Sequence, residues 1–309
     1  FMVRNLTTGN PGKQILLFSL PILIGNVFQQ FYAMVDTIIV GKFLGNDALG
    51  AVGATGAVSF FIIGLVNGSS TGLTIITAKR FGAGDHAGVK RSILNCWQVA
   101  IVLAVVMTIL SLLGIGPLMR LLKTPEDIFQ QSLTYISIIC GGLGATIFYN
   151  LNAAIMRALG DSRTPLIFLI VSSLLNVVLD LLCIAVFHMG VAGAAWATVV
   201  SQFIAGSLCL FYGLRHNEYL HTGSLFKKPD FREWAAHLQV GLPMGLQFSV
   251  TAIGSMVLQR AFNLFGTAGV TAFAAASKVD NLLTQPMMAI GTTMATYAGQ
   301  NRGAVDYKR

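Results

Sequence analysis

The sequence predicts an all-α, polytopic transmembrane helical bundle of about eight spans, organised as a parallel six-helix repeat whose second copy is truncated. Three observations carry this. Of the 309 residues, 54% are hydrophobic and only 10% charged, where charged residues make up about a quarter of an ordinary soluble protein. Several apolar stretches reach the roughly 20 residues a helix needs to cross about 30 Å of hydrocarbon. The segment SLPILIGNVFQQFYAMVDTIIVGKFLG, from Ser19, is answered by GLPMGLQFSVTAIGSMVLQRAFNLFG, from Gly241. A β-barrel would need short alternating segments, and VAIVLAVVMTILSLLGIG, Val99 to Gly116, does not alternate.

The spans are expected near 14–40, 48–77, 93–116, 129–155, 164–187, 191–214, 234–262 and 268–297. The first follows Lys13 and carries Pro21, Asn26, Gln29, Gln30 and Asp36; it is too long and too polar for a cleavable signal and leads straight into further spans. The chain opens on Phe1, so a few residues are expected to precede it. Within the second, NGSSTG (Asn67 to Gly72) places small residues where another helix can approach closely. The third is uniformly apolar, and the fourth carries Tyr135 and Asn150. The fifth holds Asn176 and Asp180, the sixth Thr198. Arg260, Lys278 and Asp280 fall in the seventh and eighth, and their roles stay open.

The repeat is offset by 222 at Pro21 and Pro243, and by 221 from Gly45 and Gly266 through GAGD (Gly82 to Asp85) and GAVD (Gly303 to Asp306). Six spans separate the copies, and six is even, so both copies face the same way in the bilayer. The reading is therefore a first six-helix lobe at 1–215, a charged cytoplasmic linker at 216–233, and the first two helices of an incomplete second lobe at 234–309. Doubling the repeat gives a complete protein of roughly 440 residues.

Charge supports this topology. The net charge is +8, yet 15 of the 20 lysines and arginines fall on one side of the spans. By the positive-inside rule that side, with the N-terminus, is cytoplasmic, and the protein belongs to a plasma (inner) membrane; the excess marks orientation and implies no nucleic-acid partner. Cys96, Cys140, Cys183 and Cys209 lie singly in apolar spans, without CxxC spacing, as packing residues. The five histidines lie in loops or at span ends and receive no chemistry, and no HExxH, GxSxG or Walker A sequence is present.

An ionisable residue inside a span is costly enough to point to function. At about 1.5 Å per residue, Asp36 and Asp180 both lie roughly 7 to 11 Å below the outer boundary. Tyr135 and Thr198 enter from outside to a similar depth, and Asn176 sits one turn from Asp180 on the same helix face. Four helices thus offer carboxylate, amide and hydroxyl groups to one slab. Such oxygens suit a small cation; two carboxylates in low dielectric also disfavour joint ionisation and can carry a proton instead. Pro21 removes an N–H from the first helix, freeing the Leu17 carbonyl and allowing a bend or hinge. Val257 or Leu258 occupies the place of Asp36 in the second copy, so the acid site belongs to one lobe.

These features resemble the multidrug and toxic compound extrusion (MATE) family. The matching stretches are SLPI and MVDTIIVGKFLG in the first span, MRALGDSRTP (Met156 to Pro165), NVVLD in the fifth, GAAWATVVSQ (Gly193 to Gln202) and SKVDNLLTQPMMAIG (Ser277 to Gly291). The resemblance implies twelve helices in two lobes. It also implies a secondary antiporter, not an enzyme, that exports cationic or amphipathic small molecules in exchange for H⁺ or Na⁺ and works as a monomer when complete. The family's coupling-ion pattern falls on Asp36, Asn176, Asp180 and Thr198, with Tyr135 adjacent; these would be the metal ligands if the ion is Na⁺, and no other cofactor is implied. Gln29 and Asn150 fall where the family's first-lobe cavity binds substrate. An acid that one branch uses in the seventh span is missing from Leu242 to Gln259. The alternatives are a flippase of lipid-linked saccharides with a related fold, which would favour a basic cavity the first lobe lacks, and a membrane-embedded lipid enzyme with a divalent metal.

Overall fold

The computed structural model describes residues 5–122, 124–223, 225, 228–263 and 266–306, and within these omits the side chains of 255–256, 259–260, 262–263, 266–279 and 281–282. Arg260 and Lys278 therefore lie outside the described side chains, while Asp280 is exposed. The described residues form α1 (Pro11–Leu44), α2 (Asn46–Ala54), α3 (Gly56–Leu73), α4 (Ile75–Gly82), α5 (His86–Leu121), α6 (Glu126–Gly141), α7 (Leu143–Ala158), α8 (Arg163–Leu181), α9 (Val191–His216), α10 (Phe231–Asn263) and α11 (Gly266–Gly303). Five spans in this set are long and apolar enough to cross a membrane, six if α6 and α7, bent by 46° at their junction, count as one. The fourth expected span is that bent pair, and the second is divided among α2, α3 and α4. Helices α10 and α11, 33 and 38 residues long, cover the seventh and eighth expected spans.

Local chemistry starts these helices where the sequence supplies caps. The Asn10 side chain accepts from the Lys13 N–H, with Pro11 at the first helical position. In GDSRTP, Asp161 Oδ1 accepts from the N–H groups of Arg163 and Thr164, both at 3.0 Å, opening α8. Just before it, Gly160 turns the chain out of α7 at φ +89°, a conformation that a side chain would strain. The motif is thus a compact helix–turn–helix joint.

Polarity is distributed for lipid. Phe31 and Ile38 on α1, Val105 and Leu113 on α5 and Phe203 and Phe211 on α9 are exposed, whereas Asn176 and Asp180 are buried. Large apolar side chains facing outward around buried polar groups match a chain surrounded by hydrocarbon.

Helices α3 and α10 pack backbone to backbone. Gly64, Gly68 and Gly72, one turn apart, meet Phe248, Gly245 and Gly241; an added Cβ on Gly68 would lie 2.8 Å from the Gly245 Cα, and one on Gly72 2.7 Å from the Gly241 Cα. The NGSSTG segment is therefore a packing seam in which backbone touches backbone. Beside it, His237 on α10 is fully buried: Nδ1 is 2.6 Å from the Leu73 carbonyl oxygen and Nε2 3.2 Å from Ser92 Oγ. The sequence reading placed this histidine at a span end without a role; its partners lie on α3 and α5, far away in the chain.

Candidate functional site

Helix α1 presents Gln29, Tyr32 and Asp36 along one face, by i, i+3, i+7 spacing. Facing it, α8 presents Ser172, Asn176 and Asp180, each one turn apart, and α9 presents Thr198, Ser201 and Gln202. The three helices pack on one another, and α6 contributes Tyr135 from the side. Immediately after Asp180 the winding widens into a π-helical turn, Leu182–Val186, where the Phe187 N–H bonds the Leu182 carbonyl at 2.9 Å. Such turns favour functional positions because they redirect a helix without breaking it.

The structure brings five of the sequence-selected residues together. The buried carboxyl groups of Asp36 and Asp180, on packed helices, are near enough to interact electrostatically. Asn176 Nδ2 donates to Thr198 Oγ1 at 3.4 Å, and Thr198 in turn donates to the Ala194 carbonyl at 3.1 Å. Tyr135 is buried within the electrostatic reach of both aspartates. Gln29 stands three residues before Tyr32 on the same face of α1, two turns from Asp36. Asn150 stands apart: its amide donates to the Thr146 carbonyl of its own helix at 2.8 Å, and no hydrogen bond among the described residues links it to the pair. Pro21 lies buried fifteen residues from Asp36, about 22 Å along α1, which runs through it unbroken.

Two neighbours escaped the sequence reading. Tyr32 lies between Gln29 and Asp36 on α1, and Gln202 lies beside it from α9. Both were visible in principle, since Tyr32 is one turn before Asp36 and Gln202 one turn after Thr198. A small cavity of about 10 Å³ lies here, lined by Tyr32, Tyr149, Ser172, Asn176, Ser201 and Gln202 among others. That is room for about one water molecule.

The atoms left without partners share one chemical character. Asp36 Oδ1, both Asp180 oxygens, Asn176 Oδ1 and Gln202 Oε1 are buried and accept no hydrogen bond. Every one is an acceptor, and buried acceptors left unsatisfied call for a proton, a water molecule or a cation. Among the described residues no three His, Cys, Asp or Glu side chains cluster as a metal site. Any cation here would therefore be held by two carboxylates and neutral oxygens, a hard-donor set.

The MatE family model matches residues 21–182, from the first helix through this acidic face. The chain belongs to the MatE family. Members of this MATE family are membrane transporters, not enzymes, and the chain is an integral membrane protein with their fold. A probable multidrug resistance protein, YpnP, of Bacillus subtilis is 36% identical over 313 residues, covering 99% of this chain and 68% of that protein. A MOP superfamily transporter from Pyrococcus furiosus superposes with a TM-score of 0.90 at 27% identity, covering 98% of this chain and 68% of that one. A crystal structure of MATE in the bent conformation gives 0.88 at 28% identity, with the same coverage. The chain spans about two-thirds of the length of the curated relatives it matches.

Proposed function

We propose that the full-length protein is a cation-coupled multidrug antiporter, in which H⁺ or Na⁺ bound at Asp36 and Asp180 drives export of cationic or amphipathic molecules. The observation that carries this is the set of unpartnered buried oxygens around two neighbouring carboxylates. Two bare charges cannot share such a place, since removing each from water costs several kcal/mol, and roughly doubly so without a counter-ion. A bound cation or proton removes the conflict. Relatives named as multidrug resistance proteins support the cargo class.

In the proposed cycle, an outward-open state exposes the acidic pair, cation binding favours bending of α1 at Pro21, and the drug leaves to the outside. Solved relatives in bent and straight conformations support the bend. The ion shifts this equilibrium only by the difference between its affinities for the two states, so Asp36 and Asp180 must bind it unequally in the two. The basic face is the cytoplasmic one in this reading, and the residues before α10 join two lobes.

Efflux from vesicles carrying the full-length protein, with proton and sodium gradients imposed separately, tests the proposal; transport indifferent to both would overturn it. Thr198→Val removes one neutral oxygen from the cage and keeps the shape. Under sodium coupling the half-saturating Na⁺ concentration is expected to rise roughly tenfold, the cost of about one hydrogen-bonding ligand. Under proton coupling it stays nearly unchanged, so titrating transport against sodium distinguishes the ions.

A further inference from the structure

At the basic end of the bundle, the repeat offset of 221 pairs Ala78 with Gly299, Lys79 with Gln300, Arg80 with Asn301 and Gly82 with Gly303. The contacts obey the same pairing. A Cβ added to Gly82 would collide with the Gln300 carbonyl oxygen, and one added to Gly303 with the Lys79 carbonyl oxygen. A Cβ on Gly299 would rest 3.2 Å from the Cβ of Ala78, its own counterpart. The ends of α4 and α11 therefore cross on the axis that relates the copies.

From this crossing each copy reaches across to the chain leading into the other. Arg80 donates to both Glu233 oxygens, at 2.7 and 2.9 Å, at the start of α10, and to the Gly88 carbonyl at 3.1 Å. Arg91 adds its charge 3.5 Å from the same carboxylate. On the other side, Gln300 accepts from the Leu6 N–H at 3.1 Å and Asn301 donates to the Leu6 carbonyl at 3.3 Å, just ahead of α1. Gln300 also donates to the Ala158 carbonyl at 2.9 Å. Arg80 and its counterpart Asn301 thus each hold the N-terminal end of the other copy, one by charge and the other by a neutral amide.

We propose that these reciprocal grips form a double latch that closes the cytoplasmic gate, and that its ionic half, Arg80 with Glu233, sets the balance between closed and inward-open states. The inference rests on the alternating-access reading above. The arginine and glutamate side chains are 21% and 11% exposed, shielded enough for the two-pronged pair to hold where a fully exposed one would not. Glycine at positions 82 and 303 lets the backbones meet, so the latch closes without moving side chains aside. Parting the copies at this end would break these backbone contacts and the grips beside them.

The test uses the full-length protein in lipid nanodiscs, spin-labelled through Ala87→Cys and Ala304→Cys, both exposed positions flanking the crossing. Glu233→Gln is expected to raise the population of longer distances roughly tenfold, the worth of one charge-assisted contact. Arg80→Lys, which keeps the charge and loses the fork, is expected to give a smaller rise, and it serves alone if Glu233→Gln fails to insert. Distances unchanged from the parent in these variants, in a preparation that still exports drug, overturn the latch. A parent that exports nothing under either ion gradient overturns the antiport reading instead.

Discussion

Asp180→Asn in the full-length protein is expected to abolish cation-driven efflux while leaving membrane insertion and the helical fold intact. The substitution keeps the shape of a side chain that is fully buried on α8, among Asp36, Asn176 and Tyr135. It removes the charge that makes a cation welcome there. Breaking one side of a buried charged partnership costs about 3 kcal/mol or more, or roughly a hundredfold in ion affinity. Export from proteoliposomes under an imposed gradient measures the loss, and gradient-driven export at the parent rate would remove Asp180 from the mechanism. Stability should move the other way: without a bound ion the variant no longer holds two facing carboxylates, so its thermal midpoint in detergent at low salt is expected to equal or exceed the parent's.

Gly68→Leu is expected to have the largest effect on folding. Its side chain would begin against the Met244 carbonyl oxygen, the Phe248 ring and the Gly245 Cα, all belonging to α10. Two of those three are backbone and cannot turn aside, so α3 and α10 must separate along their length. Overpacking of ordinary cores costs about 1–3 kcal/mol, and this seam is expected to lie at or beyond the upper end. A fall in thermal midpoint for Gly68→Leu, against little change for Gly56→Ala, whose added Cβ meets nothing, is the expected result. Equal midpoints would show that the seam yields.

The acidic site was legible because hydrocarbon makes a buried carboxylate so costly that its presence signals purpose, and helix rise then gives its depth. Asp36, Asp180, Asn176, Thr198 and Tyr135 were found by that route and lie together. Tyr32 and Gln202 do not stand out in the sequence, because hydroxyl and amide groups are ordinary in spans and only their turn spacing from Asp36 and Thr198 marks them. Asn150 shows the converse limit: depth alone does not tell which way an amide points, and its own helix claims its donor. The role of His237 could not be read at all, since its partners Leu73 and Ser92 come from residues more than 140 positions earlier. The second span was read as one rod, yet it divides at Thr55 and Thr74, where each threonine hydroxyl bonds the carbonyl three residues back. No hydropathy profile records that.

The wide turn at Leu182–Val186 stores one residue of slack directly beyond Asp180. A regular helix would tie the orientation of that side chain to the outer loop, because each residue fixes about 100° of rotation. With a spare residue between them, α8 can swivel under its carboxylate while Phe187 and the chain outside stay where they are.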